Sequence, residues 1–295
     1  MISAKIITDS ISQTGVRITT FEVAMPKFLA AEFNTHRVFS RNASSSRAIP
    51  FATMLEQVKT NPFIPIKFQK DHKGMQGTEY FEGKEHEDCV RDWLAARDAA
   101  VKAATGFAYQ VTKQLRNRLL EPFLWHKAIV TSTDYENFFA LRIHGDAEIH
   151  IADLAKKMWL AREESIPTLL NIGEWHLPYI ELFDRPDGKS GIAYGIFEEG
   201  GAEKYLSLED AKKVSVSLCA QVSYRKSDFS LEKALRIYKS LIESTPAHAS
   251  PIEQQATPHE DPNHHSGNFT GWIQNRQLIK NNVCKKYKPV LAGKR

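Results

Sequence analysis

Apolar residues never run for eighteen positions in this chain, so no membrane-spanning helix is indicated. Cysteine is scarce: Cys89, Cys219 and Cys284 lie far apart with no CxxC spacing. That pattern argues against a zinc ribbon and fits a reducing, cytoplasmic compartment. The N-terminal MISAKIITDSI lacks a basic region followed by an apolar core, so no secretory leader is expected. Internal repeats and low-complexity tracts are absent. Charge of either sign is not in excess. Lys and Arg number 39 against 35 Asp and Glu, a formal net charge of +4. This balance suits an anionic small molecule better than a wholesale nucleic-acid coat.

Against that even background, acidic residues are missing altogether from Thr35 to Ala48, THRVFSRNASSSRA. The stretch holds Arg37, Arg41, Arg47, His36, Asn42 and the serines Ser40, Ser44, Ser45 and Ser46. Guanidinium forks match phosphate oxygens, and hydroxyls with turn N–H groups add neutral donors at short range. A solvated basic loop is the plain alternative.

The 295 residues are enough for a large core. Residues 3–9 and 16–24 alternate β-branched and polar positions and predict two strands joined by a turn at Gln13–Gly15. Pro26 opens a helix running toward Thr35, which places the anion-binding stretch at a helix end and in the turns after it. Residues 52–60 predict a short helix and 61–84 a Pro-, Gly- and Lys-rich loop. A long helix over about 86–118 carries an apolar stripe from Trp93 to Leu115. Residues 124–132 fit either an extended segment or a helix–turn. Asp134 caps a helix through Arg142, and another helix spans about 147–164. After Pro167 the pattern is irregular to about 206, with turns at Asp187–Gly191 and Glu198–Gly201. Amphipathic helices follow over 208–222, capped by Ser207, and 230–243. The tail from Thr245 is rich in proline and histidine and ends basic (Lys285, Lys286, Lys288, Lys294, Arg295).

His36, Arg37 and then Ser45 after seven residues resemble the Arg-His-Arg, seven residues, Ser signature of the flavin-dependent thymidylate synthases. Asn42 and Arg47 match the longer form. Thr35, Ala43 and Ala48 stand where that form has Arg, Glu and Tyr. NRLLEP (117–122) and NFFALR (137–142) are similar to the family's Ala-Arg-x-x-Leu-Pro element and its Asn-x-x-x-Leu-Arg helix. AEIHIADLA (147–155) continues the likeness, with His150 where a Glu is usual. Residues 219–254 resemble the family's N-terminal element, His248, Ser250, Pro251 and Glu253 matching and Gln254 replacing a His. Here that element comes late in the chain, as in a circular permutation. The permutation predicts that His248–Gln254 packs beside Thr35–Arg47, in the same or a neighbouring subunit.

The resemblance implies an α+β fold with a mixed or antiparallel sheet flanked by long helices. It implies one domain over 1–295, with 61–84 and 175–206 as insertions and 259–295 as a C-terminal extension. It implies a methyltransferase that converts dUMP to dTMP, with methylenetetrahydrofolate as carbon donor and FAD, reduced by NADPH, carrying the hydride. No cysteine sits in a basic microenvironment suited to thiolate attack, so a cofactor must carry the chemistry. By the likeness, His36, Arg37, Asn137, His248, Ser250 and Glu253 bind flavin, and Ser45, Ser46, Arg47, Arg118 and Arg142 bind dUMP. Arg142 polarises the uracil ring, and Ser45 acts by binding, since no base partner is visible for it. A homotetramer is implied, with no membrane or nucleic-acid partner. The departures at Thr35 and Ala43 leave open a related pyrimidine-nucleotide hydroxymethylase. A non-catalytic nucleic-acid-binding module is the reading from another class. GNFTGWIQNR (267–276) fits a pocket lining or a structural strand equally. The cluster His259, Glu260, Asp261, His264 and His265 matches no zinc spacing, and no metal site is expected.

Overall fold

Alternation in the first 26 residues folds as an antiparallel hairpin of β1 (Ser3–Ser12) and β2 (Arg17–Pro26), with Ile6 opposite Phe21 and Ile11 opposite Arg17. Its turn is closed by Gly15, whose φ of +83° only glycine adopts without strain and whose N–H donates to the Ser12 carbonyl at 2.9 Å. The computed structural model describes residues 1–74, 76–188, 190–197, 201–222, 230–244, 247–280 and 282–285. They form two compact units: 1–11, 17–168 and 221–225 in the first, and 12–16, 169–220 and 226–295 in the second.

In the first unit β2 pairs with β4 (Trp125–Ser132), and β4 pairs on its other edge with β3 (Ser40–Ala43), all antiparallel. The strand order β3-β4-β2-β1 makes 124–132 a central strand, which resolves the ambiguity in its sequence. Ala128, Ile129 and Val130 are buried there, so the apolar run is a strand covered on both faces. A 3-10 turn (Lys27–Leu29) and α1 (Ala30–Phe33) follow Pro26 as expected. Phe33, Phe39, Tyr135, Phe138 and Phe139 pack with Met25, Leu154 and Met158 of α6 (Ile149–Glu164) into the main core. The Phe33 and Phe138 rings meet edge-on at 5.7 Å. Arg17 forks Asp9 at 3.0 and 2.5 Å and also donates to the Arg162 carbonyl at 2.6 Å, fastening the end of α6 to the hairpin.

A second cluster joins α2 (Phe51–Thr60), α3 (Gly83–Thr105) and the 3-10 segment Asn117–Phe123 through Met54, Val58, Ala104 and Leu120. The expected helix over 86–118 is shorter than its stripe suggests. It stops at Thr105, where Gly106 caps it by donating to the Lys102 carbonyl at 2.9 Å. Residues 106–112 lie outside any helix, and α4 (Lys113–Arg116) is a separate turn on which Leu115 is exposed. Of the expected loop 61–84, residues 83–84 already belong to α3, and the described residues before them are irregular apart from one bridge, Gln69 with Tyr80. Asp134 accepts from the Glu136 N–H at 3.2 Å at the start of α5 (Glu136–Arg142).

The short strand β5 (Thr168–Leu170) straddles the boundary. In the second unit, residues expected to be irregular form a three-stranded meander: β6 (Glu181–Asp184), β7 (Ile192–Phe197) and β8 (Glu203–Leu206). Strands of four to six residues carrying Gly195 and charged ends show too little alternation to be read from sequence. Gly195 is needed there, because a Cβ would lie 2.4 Å from the Lys204 carbonyl oxygen. The turn before β7 is present, with Gly188 and Gly191 at φ +69° and +112°. Most of the turn expected at 198–201 lies outside the described residues, as do 223–229 and the end of the basic tail.

Tyr194 and Ile196 pack with Val214 of α7 (Leu208–Ala220) and Ala234 of α8 (Leu231–Ile242). Ser207 caps α7 by accepting from the Asp210 N–H at 3.1 Å. The segment 267–276 is structural: β11 (Phe269–Thr270) pairs with β10 (His265–Ser266), and β12 (Trp272–Gln274) with β9 (Ala256–Pro258). It runs into the last turn, α9 (Asn275–Leu278), and Trp272 is wholly buried. The α+β class with antiparallel sheets and helices is the observed one.

Candidate functional site

The basic stretch is neither one loop nor one run of turns, because Ser40–Ala43 is strand, with Asn42 opposite Ile129. Arg41 folds back from it. Its Nη1 donates to the carbonyls of His36 at 2.9 Å, Asn34 at 3.2 Å and Phe33 at 3.3 Å. These carbonyls lie at and just beyond the C-terminus of α1, where a cation is favoured. This arginine therefore stabilises the chain.

His36 is buried beside Phe39 and Phe138, the latter at 4.8 Å. Its Nε2 accepts from Arg142 Nε at 3.0 Å. A guanidinium always donates, so the ring is neutral with its proton on Nδ1. Burial, then the Arg142 and Arg41 charges, lower the His36 pKa to about 4. Arg142 ends α5 and forms an ion pair with Glu32 of α1 through Nη1. Its Nη2 makes no hydrogen bond among the described residues. Two of its three nitrogens are held by the chain. Glu148 caps α6, accepting from the N–H groups of His150 and Ile151 and from His150 Nδ1.

The serine turn lies beyond β3. Ser45 is exposed, and its Oγ accepts from the Arg47 N–H at 3.3 Å. Ser46 is buried and donates to Glu121 at 2.7 Å. Asn117 Nδ2 donates to the carbonyls of Ser46 at 2.6 Å and Ile49 at 3.1 Å, and Arg47 Nε donates to Gln114 at 3.2 Å. Residues 114–121 thus brace the turn from behind, while Arg118 is exposed.

Three residues that the motifs do not mark complete this corner. Ser44 Oγ and Lys27 Nζ both lie on Nδ1 of buried His126, at 3.1 and 3.4 Å. Ser44 Oγ accepts from the Lys127 N–H at 3.2 Å, so its own proton points to the imidazole. His126 is then neutral, and burial with the Lys27 charge lowers its pKa to about 4. Lys27 is half-buried and has no ion pair among the described residues. Burial lowers its pKa, Glu121 raises it and Arg118 lowers it. A partly desolvated cation that makes no ion pair among the described residues, with the Ser44 hydroxyl and the exposed Arg118 nearby, suits an anion.

No family model matches the chain, and no curated protein matches it. Solved structures are similar to it. One is a UMP/dUMP methylase PolB from Streptomyces cacaoi bound with 5-Br UMP: 16% identity over 56% of this chain and 89% of that one, with a TM-score of 0.45. The same methylase bound with 5-Br dUMP gives 18% identity over 50% and 66%, with a TM-score of 0.39. The similarity is distant and covers about half of this chain.

Of the remaining expected contacts, Arg37 and Asn137 are exposed, and neither makes a side-chain hydrogen bond or ion pair among the described residues. His248, Ser250 and Glu253 fall in the second unit. His248 and Ser250 are exposed, whereas Glu253 forms an ion pair with Arg276. The rings of His259 and His264 stack at 3.8 Å, and no group of three or more His, Cys, Asp or Glu able to hold a metal occurs among the described residues. No described helix is long and apolar enough to cross a membrane. His126 and Lys27 escape sequence reading because a lone histidine inside an apolar strand and a lysine after Pro26 carry no spacing signal. Only pairing with β3 gives them a common neighbour.

Proposed function

We propose that the protein is a flavin-dependent methyltransferase of pyrimidine nucleotides, making dTMP from dUMP with methylenetetrahydrofolate as carbon donor and NADPH as reductant. The observation that carries this reading is convergence. The three first-unit segments marked by the resemblance are far apart in sequence and joined in space. Ser46 meets Glu121 and Asn117, and Arg142 meets His36.

The chain's own groups support distinct tasks. Arg47, Arg118 and Lys27, with Ser44 and Ser45, offer positive charge and hydroxyl donors to a nucleotide phosphate. Arg142, fixed by Glu32 and His36, presents Nη2 to the uracil ring edge. A cation held there favours negative charge on the ring and makes the ring carbon more nucleophilic. Ser45 binds and does not attack, since its hydroxyl has no base partner among the described residues.

FAD is tested against the same side chains. In the first unit, Arg37 and Asn137 are exposed polar groups of the kind that a diphosphate or an amide-edged ring accepts; in the second, taken by itself, so are His248 and Ser250. His36 and Glu253 already have partners within the chain, so their part is to position Arg142 and Arg276. When bound, the flavin supplies hydride transfer.

The deciding experiment is the absorption spectrum of the purified protein, with NADPH added and then dUMP and methylenetetrahydrofolate. The expected outcome is a yellow protein that bleaches with NADPH and a product with the mass of dTMP. A hydroxymethyl product redirects the reading toward a hydroxymethylase, the outcome that Thr35 and Ala43 leave open. A colourless protein that takes up no FAD, ignores dUMP and binds single-stranded DNA with steep salt dependence overturns it.

A further inference from the structure

The second unit holds a pocket of about 580 Å³, within the usual range for small-ligand sites, and no group assigned to the proposed reaction lines it. Two turns shape its mouth. Gly173 and Gly191, at φ +91° and +112°, bend the chain where other residues would be strained. A Cβ on Gly191 would lie 3.6 Å from Arg185 Cδ and 3.8 Å from Glu174 Oε1, so these two side chains converge on the bare glycine. Below them, Ile192 and Tyr194 are alternate residues of β7, and Leu206 of β8 is the cross-strand partner of Tyr194, which puts the three on one face. Ile192, Leu206 and Leu208 are only partly covered by the core beneath and give the pocket an apolar floor.

Glu174 is held from three sides. Its Oε2 accepts from the Asn171 N–H at 2.7 Å and from Asn171 Nδ2 at 3.0 Å. Its carbonyl accepts from Thr257 Oγ1 at 2.7 Å, and the next N–H along, that of Trp175, donates to the Tyr194 hydroxyl at 2.7 Å. These contacts close the turn and use only one carboxylate oxygen. Oε1 makes no hydrogen bond among the described residues, and it is not among the sealed polar atoms of the chain, so it stays accessible. Glu174 also makes no ion pair among the described residues. Arg185 is forked on Asp187 at 3.0 and 2.7 Å, so those two charges offset each other and Glu174 leaves the lining net negative. Tyr205, 44% exposed, adds an aromatic surface. A fixed carboxylate oxygen, an aromatic ring and an apolar floor together suit a cation that carries N–H donors.

We infer that this pocket binds a primary amine on an apolar body, its ammonium donating to Glu174 Oε1 and its hydrocarbon lying against Ile192, Leu206 and Leu208. The lining discriminates against the obvious competitors. An anion meets an uncompensated carboxylate. A neutral alcohol offers one donor without the charge that strengthens the bond, and a quaternary ammonium offers no N–H at all. The site lies wholly in the second unit, and its binding does not require the proposed reaction.

The test is titration calorimetry of the full chain with 3-methylbutylammonium, 3-methylbutanol and 3-methylbutanoate, which share one hydrocarbon body and differ in charge. The amine is expected to bind, with the alcohol and the carboxylate each at least about tenfold weaker. Glu174→Gln keeps an oxygen that can accept from the Asn171 N–H, so the turn is retained, and it should weaken the amine by about tenfold or more, as expected for losing one charge-assisted hydrogen bond. Should that variant not fold, Arg185→Ala reads the same dependence on charge. It leaves Asp187 uncompensated at the rim and should tighten amine binding by about threefold. No binding heat at about 10 mM amine, an equal response to the alcohol or the carboxylate, undiminished affinity in Glu174→Gln, or unchanged or weaker affinity in Arg185→Ala overturns the proposal. A lysine side chain carries the same ammonium on an apolar stem, and Nα-acetyllysine methylamide in the same titration separates the sources: tighter binding than the free amine assigns the pocket to a lysine-bearing peptide, weaker binding to a small amine. A colourless protein that ignores dUMP yet binds the amine leaves the pocket standing while the methylase reading falls.

Discussion

Between His36 and Ala43 most of the polar groups serve the chain itself, whereas Ser45 and Arg47, a few residues on, stand at the surface. Arg41 spends its guanidinium on three carbonyls of the helix end, and His36 is buried against Phe138. Arg47 reaches only one neutral side chain, Gln114, and Ser45 only a turn N–H. Both halves have the composition of an anion site. They differ in what surrounds them: Arg41 lies within reach of three carbonyls at and after the end of α1, whereas Arg47 meets the Gln114 side chain and the Ala48 carbonyl beside it goes to Lys113. Counting arginines therefore overstates a ligand site where a helix ends nearby.

This contrast can be broken or sharpened by substitution. Arg142→Ala should act most strongly, since it removes a fixed donor aimed at developing charge. Turnover is expected to fall by roughly a hundredfold or more while flavin content is retained. Steady-state rates and the flavin spectrum check this, and undiminished turnover would remove Arg142 from the mechanism.

Arg41→Ala should follow, and it should act on stability. Losing three charge-assisted contacts, part of which water replaces, costs on the order of 2 kcal/mol, a melting shift of about 4–8 °C for a unit of this size. dUMP affinity should change by less than about twofold, measured by calorimetry on protein still folded at 20 °C; a large loss of affinity would move Arg41 to the ligand-facing half.

Arg47→Ala should give the reverse pattern: dUMP binding weaker by about tenfold, and a melting temperature within about 1 °C of wild type. A melting shift as large as that of Arg41→Ala would erase the contrast between the halves.

The smallest effect at neutral pH belongs to the two buried imidazoles, because both are neutral there. Each has a folded pKa lowered from 6.5 to about 4. The unfolded chain binds the extra protons first, so their contribution is complete above pH 6.5 and is lost as pH falls toward 4. Denaturant titrations across that window should show falling stability, with a shallower slope in His126→Gln; an unchanged slope in that variant would mean that His126 does not titrate as its burial implies.

Much of the architecture is legible in the residues. The hairpin, the proline-led turn to α1, the cap at Ser207 and the helices of the second unit follow from local periodicity and capping. Local rules failed where a competing contact decided. The stripe from Trp93 to Leu115 continues past Thr105, but Gly106 ends the helix. The strands of the meander are too short to announce themselves, and the partner of Arg142 is Glu32, 110 residues away, rather than a neighbour on its own helix. Of the candidate site, the cationic and hydroxyl groups are visible as a composition. Which of them face a ligand is not, because exposure depends on what packs behind each side chain.

The order of apolar, polar and turn-forming residues by itself determined the first hairpin and most of the helices, the lack of a helix able to cross a membrane, and a concentration of anion-seeking groups between His36 and Arg47. Tertiary structure alone decided that His126 and Lys27 share a corner with Ser44, that Arg142 is clamped by His36 and Glu32, and that Glu174, Ile192, Leu206 and Leu208 line one pocket. The physical reason is range. Helix and strand preferences act over a few residues, whereas proton positions, desolvation and free donors arise between segments that only packing brings within 3–4 Å.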